Sequence, residues 1–284
     1  MQIIVLIKQV PDTTAVSAKA MKPDGTLNRA ALPAIFNPED LCALELALML
    51  RDHGVGSVCA MTMGPPAAAE ILREALYRGV DRAILLTDRL FAGADTLATS
   101  YVLARAISTI GDYDLILCGR QALDGNTAQV GPQVAEKLGI NQLTYVERIE
   151  QITDTDLEVW REIEQGRERV KARLPVLLSV VPSAVTVRPP SAQRIMKYKK
   201  ARALSELSDP SQADVLAARG LLIEQWDAGR IGADPARCGL AGSPTRVKKI
   251  QSVVLKSTGF KQFDPDARGV RRLLEELLAS YAFD

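Results

Sequence analysis

Short, continuous apolar runs recur along the first half of the chain, and a polar segment follows each of them. The runs are Ile3 to Ile7, Ser57 to Met63, Ala83 to Leu86 and Asp114 to Cys118. Apolar runs of this length without alternation are typical of strands buried on both faces, as in parallel sheets. The pattern therefore predicts four central strands.

The segments between these runs have apolar residues at helical spacing. Asn37 suits the N-cap of the first predicted helix, Pro38 its first turn and Gly54 its end. Further helices are predicted over Ala67 to Arg78 and over Asp95 to Ile110. Strands that alternate with helices predict an α/β fold with a mostly parallel sheet and flanking helices. Ligands in such folds bind beyond the carboxyl ends of the strands.

Near residue 140 the pattern changes to alternating apolar and polar positions. Strands with one solvated face are predicted over Leu143 to Ile152, Leu157 to Ile163 and Glu168 to Arg173, with a turn at residues 164–166 between the last two. A further apolar strand is predicted over Pro175 to Pro182. This part of the chain therefore adds an antiparallel hairpin to the parallel sheet.

The remaining chain is loosely patterned until a final amphipathic helix over Ala267 to Phe283. The apolar residues on one side of this helix are Val270, Leu273, Leu274, Leu277, Leu278 and Tyr281. Such a face needs a surface to pack on. We expect an α/β domain over residues 1–187 and an extension over residues 188–284 that embraces a partner or folds back over its own domain.

Composition and charge exclude several classes of protein. The 35 basic and 34 acidic residues give a net charge of +1, which does not suggest a nucleic-acid or membrane-surface binder. The apolar run at the N-terminus is too short for a signal peptide or a membrane span. The four widely spaced cysteines, Cys42, Cys59, Cys118 and Cys238, predict neither a disulfide framework nor a metal site, so we expect a cytoplasmic location.

Side-chain catalysis is not predicted either. The single histidine, His53, lies in the polar end of a predicted helix, where an interaction with the helix dipole accounts for it. A triad based on histidine is therefore not expected. Neither a dinucleotide-binding glycine fingerprint after the first strand nor a P-loop motif occurs, which excludes the ordinary forms of both sites.

Polar loops follow all four predicted central strands. They are Lys8 to Asp12, Thr62 to Pro66, residues 92–100 and residues 118–131, which read CGRQALDGNTAQVG. Glycines in the last three loops permit close backbone approach, while Thr62, Thr96 and Thr127 supply hydroxyls near helix starts. Backbone N–H groups at such helix starts bind phosphate. One such loop is also what an ordinary capped helix needs, but four at one sheet edge predict a nucleotide site.

Several of these stretches together resemble the beta subunit of electron transfer flavoproteins, clearly over residues 1 to about 200. They are VLIKQVPD, the Asn37-Pro38 helix start, TMGPP, LREALYRGVDRAILLTD and CGRQALDGNTAQVG. The resemblance implies a body similar to adenine-nucleotide α-hydrolases with a flavodoxin-like strand order. It also implies a nucleotide-binding domain over residues 1–187, and a recognition loop and extension over residues 188–284 that embrace an FAD-carrying alpha subunit.

Within this family, DRLFAGADTLATS (residues 88–100) and AGSPTRV (residues 241–247) resemble the electron-bifurcating members. That resemblance implies an FAD in the beta subunit that takes a hydride from NADH. One electron then passes to the alpha-subunit FAD, and onward to an acyl-CoA dehydrogenase or quinone oxidoreductase, and the other passes to ferredoxin or flavodoxin. Two alternatives stay open: a non-bifurcating shuttle that binds structural AMP, and a nucleotide-binding stress-type protein without a redox role.

The loops and the family's nucleotide contacts together predict the site residues, with no catalytic side chain and no metal ligand among them. The predicted cofactor-binding residues are Leu6, Lys8, Asn37, Asp40, Thr62, Met63, Asp95, Thr96, Thr99, Gly119, Arg120, Gln121, Asp124, Gly125, Asn126, Thr127, Ala128, Gln129 and Val130.

The stretch RPPSAQRIM, residues 188–196, aligns with the family's partner-recognition loop. Ala192 stands where ordinary members have a leucine that docks into acyl-CoA dehydrogenases, so this stretch does not indicate which dehydrogenase is the partner. A basic cluster follows, and it either attracts an acidic partner surface or forms a solvated charge run. Its members are Arg194, Lys197, Lys199, Lys200 and Arg202.

Overall fold

One large sheet organises the first of the chain's two units, which are residues 1–247 and 248–284. The computed structural model describes residues 1–12, 33–245 and 260–279. The strands are β1 (Gln2–Leu6), β2 (Gln9–Pro11), β3 (Ala34–Phe36), β4 (Ser57–Met63), β5 (Arg82–Leu86), β6 (Leu115–Gly119), β7 (Asn141–Ile152), β8 (Asp156–Ile163), β9 (Gly166–Arg173), β10 (Val176–Val180), β11 (Arg202–Ala203) and β12 (Leu222–Trp226). The helices are α1 (Pro38–Asp52), α2 (Ala69–Arg78), α3 (Thr96–Ile110), α4 (Val130–Leu138), α5 (Ala192–Tyr198), α6 (Gln212–Ala218) and α7 (Ala267–Ala279).

Ten of these strands form a sheet in the order β11-β12-β5-β4-β1-β6-β10-β7-β8-β9, and β2 pairs separately with β3. The pairs from β11 to β7 are parallel, whereas β7–β8 and β8–β9 are antiparallel. The predicted class is confirmed: an α/β fold with a mostly parallel sheet, flanking helices, an antiparallel hairpin and a terminal helix.

The strand order differs from the flavodoxin-like order that we expected. Around β1 the order is β5-β4-β1-β6, so the first four parallel strands lie in the order 3-2-1-4. This is the order of the doubly wound dinucleotide-binding folds, whereas flavodoxin places the second, first and third strands side by side. Apolar runs show which segments become strands, but they do not show which strands become neighbours.

Each central strand contributes to two separate cores, because successive side chains point to opposite faces of the sheet. Ile3 and Val5 of β1 pack with α1 and α2 on one face, while Ile4 and Leu6 pack with α3 and α4 on the other. All four side chains are 0–5% exposed. The apolar runs lack alternation because both faces of these strands are covered.

Residues 188–245 fold back onto the sheet and enlarge it. β12 pairs with β5 in parallel register, which aligns Glu224 with Ile84 and Trp226 with Leu86. Glu224 accepts a hydrogen bond from Arg82 Nε at 2.5 Å, and the Arg82 guanidinium lies 5.6 Å from the centre of the Trp226 ring. We expected the extension either to embrace a partner or to fold back over its own domain, and this part of it folds back. The domain boundary at residue 187 and the embrace of a partner stay predictions.

The terminal helix α7 belongs to the second unit. Val270, Leu274 and Leu278 on its apolar face are 48–62% exposed. The predicted last turn, including Tyr281 and Phe283, lies outside the described residues. No helix in the described ranges combines the length and apolar character that a membrane span requires.

Candidate functional site

A cleft of about 780 Å³ opens at the carboxyl ends of β1, β4, β5 and β6. All four predicted polar loops contribute to its wall. The lining comes from residues 6–8, 63–66, 87–89, 91–96, 118–122 and 125–131, together with Asp40, Thr99 and Leu103. In the sheet, β4 and β5 lie on one side of β1 and β6 lies on the other, so the strand order reverses at β1. The cleft lies at this reversal, which is the usual ligand position in doubly wound sheets.

The start of α1 holds residues 119–123 through polar side chains. Asn37 Nδ2 donates to Gln121 O at 2.9 Å, and Asn37 Oδ1 accepts from Leu123 N at 3.1 Å. Glu39 accepts from Gln121 N and from Arg120 Nη2. Asn37 occupies the N-cap position, but its side chain makes no capping hydrogen bond. The expected role of Asn37 as a side-chain cap is therefore wrong, because both polar atoms of its amide bind the neighbouring loop.

Asp40 connects the ends of two central strands from the first turn of α1. Its Oδ2 accepts from Lys8 N and its Oδ1 accepts from Gly119 N, both at 2.9 Å. Burial raises the pKa of Asp40 from 3.8 to about 7, although hydrogen bonds from Asn37, Gly119 and Lys8 and the Lys8 charge oppose this rise. The folded protein thus binds a proton at Asp40 more tightly than the unfolded chain does.

The loop over residues 125–130 forms a concave backbone surface. Asn126 and Ala128 adopt φ values of 49° and 53°, in the left-handed region that non-glycine residues seldom occupy. Alternating left-handed and right-handed residues turn successive N–H groups toward one point, an arrangement that binds anions. α4 begins at Val130, and the first N–H groups of a helix have no partner within it. The loop and the helix start therefore suit a phosphate group.

Thr96 and Thr99, at the start of α3, also line the cleft. Thr96 Oγ1 donates to Gln129 Oε1 at 2.9 Å, so the two helix starts contact each other directly. Asp95 caps α3 by accepting from Leu97 N and Ala98 N, and its other oxygen accepts from Thr245 N. Burial acts to raise the pKa of Asp95, but these hydrogen bonds together outweigh it and lower the pKa. Both Asp95 oxygens are already occupied, so its contribution to the cleft is structural.

Three cations line the cleft, and two of them have acidic partners. Lys8 Nζ lies 2.7 Å from Asp124 Oδ1, and Arg120 Nη2 lies 2.9 Å from Glu39 Oε1. Arg89 forms no ion pair with any residue that the structure describes. The buried Nε of Arg120 likewise has no hydrogen-bond partner within the described ranges. An anion in the cleft would therefore meet Arg89, a cation without an acidic partner among the described residues.

Of the predicted site residues, 16 line the cleft, from Leu6 and Lys8 to Gln129 and Val130. Asn37, Thr62 and Asp124 do not. Asn37 and Asp124 act through their contacts with lining residues, whereas the buried Thr62 hydroxyl has no partner among the described residues. Residues 64–66 and 92–94 belong to the predicted polar loops but were not named as site residues, and residues 87–89 and Phe91, which also line the wall, were not predicted. Their position directly after two central strands was the signal that could have identified them.

Comparison with known proteins agrees with this arrangement. Residues 24–205 match the electron transfer flavoprotein domain. The chain is also 43% identical over 259 residues to the electron transfer flavoprotein subunit beta of Clostridium acetobutylicum, with 91% of each chain covered. The chain belongs to the electron transfer flavoprotein family.

The chain is also similar, over most of its length, to two further relatives. The caffeyl-CoA reductase-Etf complex subunit CarD of Acetobacterium woodii is 42% identical over 273 residues, which cover 95% of this chain and 90% of CarD. Protein FixA of Bradyrhizobium diazoefficiens is 41% identical over 280 residues, which cover 96% of this chain and 85% of FixA. The predicted resemblance to the beta subunits of electron transfer flavoproteins is confirmed, and with it a general role in electron transfer.

Gly119 provides a test of the packing between β6 and α1. A Cβ atom at this position would lie 2.6 Å from Asp40 Oδ1 and from the Glu39 carbonyl carbon, so Gly119→Ala requires the helix start to move. We expect it to lower the free energy of unfolding by about 1–3 kcal/mol, as overpacking does. Gly125→Ala is the matched control, because a Cβ there meets no atom within 4 Å. Urea unfolding that affects both variants equally would contradict this packing.

Asp40 provides a test of pH dependence. Because its folded pKa of about 7 lies above the ordinary value of 3.8, its contribution to stability is complete at low pH and is lost as the pH rises toward 7. Between about pH 5 and about pH 6.5 the wild type should lose about 2 kcal/mol relative to Asp40→Asn. Urea unfolding of both proteins at the two pH values measures this difference. Equal changes in the two proteins would show that Asp40 does not titrate in this range.

Proposed function

We propose that this chain is the beta subunit of a heterodimeric electron transfer flavoprotein of the electron-bifurcating type, with FAD in the cleft. In this proposal NADH is the hydride donor. One electron passes to an FAD in the alpha subunit and then to an acyl-CoA dehydrogenase or quinone oxidoreductase, and the other passes to ferredoxin or flavodoxin. The complex is cytoplasmic, in keeping with four buried, free cysteines.

The continuity of the cleft carries the proposal. The concave loop over residues 125–130 and the polar start of α3 line the same space of about 780 Å³. AMP has one phosphate and would occupy the loop alone. FAD contains the AMP group and adds a second phosphate, a ribityl chain and an isoalloxazine ring, and so would also extend along residues 87–99. Arg89, which has no ion-pair partner within the described ranges, lies on this added length, where a second phosphate would find a positive charge.

The protein's own groups would bind and orient the cofactor. The backbone N–H groups after Gly125 and at the start of α4 would hold phosphate, and Arg120 Nε would complete the hydrogen bonds on that side. Thr96 and Thr99 offer hydroxyls to the polar ribityl chain, while Leu6, Met63 and Phe91 offer apolar contacts. When bound, the flavin would supply the redox chemistry.

The names of the relatives support the redox role and the partners. The Acetobacterium relative is named as part of a complex between an Etf and a caffeyl-CoA reductase, which fits an acyl-CoA dehydrogenase type of partner. In this chain the segment aligned with the family's recognition loop forms the short helix α5, which begins at Ala192. The exposed apolar face of α7 would bind the alpha subunit, since such a face is costly to leave in water.

One observation favours the AMP-binding alternative. Thr96 Oγ1 and Gln129 Oε1 already satisfy each other, so the cleft is complete at that end without a ligand. A beta subunit that holds AMP at the 125–130 loop would leave this pair undisturbed. The protein would then be a single-flavin electron shuttle without NADH oxidation.

The 125–130 loop can be tested at Gly125. A Cβ atom at this position meets no protein atom within 4 Å, and Gly125 lines the cleft, so a valine side chain there would add bulk beside the ligand space. We expect Gly125→Val to reduce bound nucleotide by about tenfold or more while the free energy of unfolding changes by less than about 1 kcal/mol. Nucleotide released per folded molecule is the measurement. Full occupancy in a protein of reduced stability would show that the loop is only a turn.

The identity of the nucleotide decides between the two functions. The purified complex with the alpha subunit is denatured and the released nucleotides are quantified by chromatography, before and after incubation with excess FAD. We expect about two FAD and no AMP per complex. One FAD with stoichiometric AMP that excess FAD does not displace would refute the bifurcating assignment.

Substitutions in α3 refine the same test. Thr96→Ala combined with Thr99→Ala should release the beta-subunit flavin and abolish NADH oxidation, while the alpha-subunit flavin stays bound. Ser100→Ala is the control, because Ser100 Oγ also joins α3 to α4 through Gln133 Oε1 but lies buried outside the cleft. Equal flavin loss in both variants would mean that helix packing, and not the cleft hydroxyls, controls occupancy.

A further inference from the structure

A second pocket of about 380 Å³ lies outside the cleft, among α3, α4 and residues 236–244. None of its lining residues lines the cleft. The wall has two parts of different chemistry. Lys137 and Arg237 supply positive charge, while Leu97, Ala236, Ala241 and Pro244 supply apolar surface.

Neither cation of this pocket has an acidic partner within the described ranges. No ion pair or side-chain hydrogen bond joins Lys137 or Arg237 to an acidic residue there. The Arg237 guanidinium lies 4.1 Å from the centre of the Tyr101 ring. Tyr101 is 7% exposed, and its hydroxyl accepts a hydrogen bond from Asp234 N at 2.8 Å. The ring is therefore fixed, and the stacked guanidinium is held in place before any ligand arrives.

The two like charges also influence each other. Burial lowers the pKa of Lys137, and the nearby charge of Arg237 lowers it further, against the opposing effects of Asp95 and Glu136. Asp95 does not pair with Lys137, because its oxygens accept backbone hydrogen bonds from Leu97, Ala98 and Thr245. Two cations that repel each other at one pocket, with no acidic partner among the described residues, would be stabilised by a bound anion.

We propose that this pocket binds a phosphate group, separately from the nucleotide in the cleft. Lys137 would act as a point charge, and the fixed guanidinium of Arg237 would donate two parallel hydrogen bonds, a geometry that suits phosphate oxygens. The apolar surface beside the cations favours a small organic phosphate over free phosphate, since it would cover an apolar substituent. The site is independent of whether the cleft holds FAD or AMP.

Titration calorimetry of the full chain carrying its bound nucleotide tests the proposal, with inorganic phosphate and phenyl phosphate as probes. We expect both probes to bind, and phenyl phosphate to bind more tightly. Lys137→Gln and Arg237→Gln should each weaken binding by about tenfold, the usual effect of losing a charged hydrogen bond, and the double variant should abolish it. Equal affinity for the two probes would support a site for free phosphate.

Three control variants distinguish binding in this pocket from binding in the cleft and from general attraction to surface charge. Arg219→Gln removes an exposed charge at the end of α6 and should leave phosphate binding unchanged. Gly125→Val alters the cleft and should also leave it unchanged. Arg237→Lys keeps the positive charge and should bind phosphate more tightly than Arg237→Gln does. That difference would show that Arg237→Gln does not act through a general loss of structure. The proposal is overturned if neither probe binds the wild type, or if Gly125→Val abolishes binding and the pocket variants do not.

Discussion

The cleft depends on one buried carboxylate. Asp40 lies in the first turn of α1 and accepts hydrogen bonds from the backbone of Lys8, just beyond β1, and of Gly119, at the end of β6. These neighbouring strands border the reversal of strand order, where a doubly wound sheet leaves a crevice. Without the carboxylate, two N–H groups at the base of the crevice would lose their acceptor, at a cost of about 1–3 kcal/mol each.

The need for hydrogen-bond partners beside the crevice also explains the polar start of α1. Asn37, Glu39 and Asp40 would ordinarily complement the N–H groups and the dipole of their own helix. Here all three bind residues 119–123, or the backbone just beyond β1, so the helix start organises the neighbouring loop. This contact explains why residue 119 is a glycine: Gly119 has no side chain, so the end of the strand can approach the helix. A motif that looks like helix capping therefore supports the ligand loop.

The fold and the site were predictable to different degrees. The predicted run from Ser57 to Met63 coincides with β4, because a strand covered on both faces is apolar throughout. β12 was not predicted, since Leu222–Trp226 lies in a loosely patterned stretch and contains Glu224, which in the structure pairs with Arg82 of β5. In the site, the polar loop over residues 118–131, with its three glycines, was visible from its composition. The left-handed conformations of Asn126 and Ala128 depend on surroundings that no local pattern encodes.

The hydrogen bond between Thr96 and Gln129 has a consequence for ligand discrimination. A ligand that enters this end of the cleft must replace an existing bond instead of adding a new one, so the exchange contributes little net affinity. A ligand that separates the two side chains without replacing their bond leaves a hydroxyl and an amide unsatisfied, which is unfavourable. The Thr96–Gln129 pair would therefore contribute to ligand selectivity. It would barely strengthen the binding of a correct molecule, and it would weaken the binding of an incorrect one of similar size.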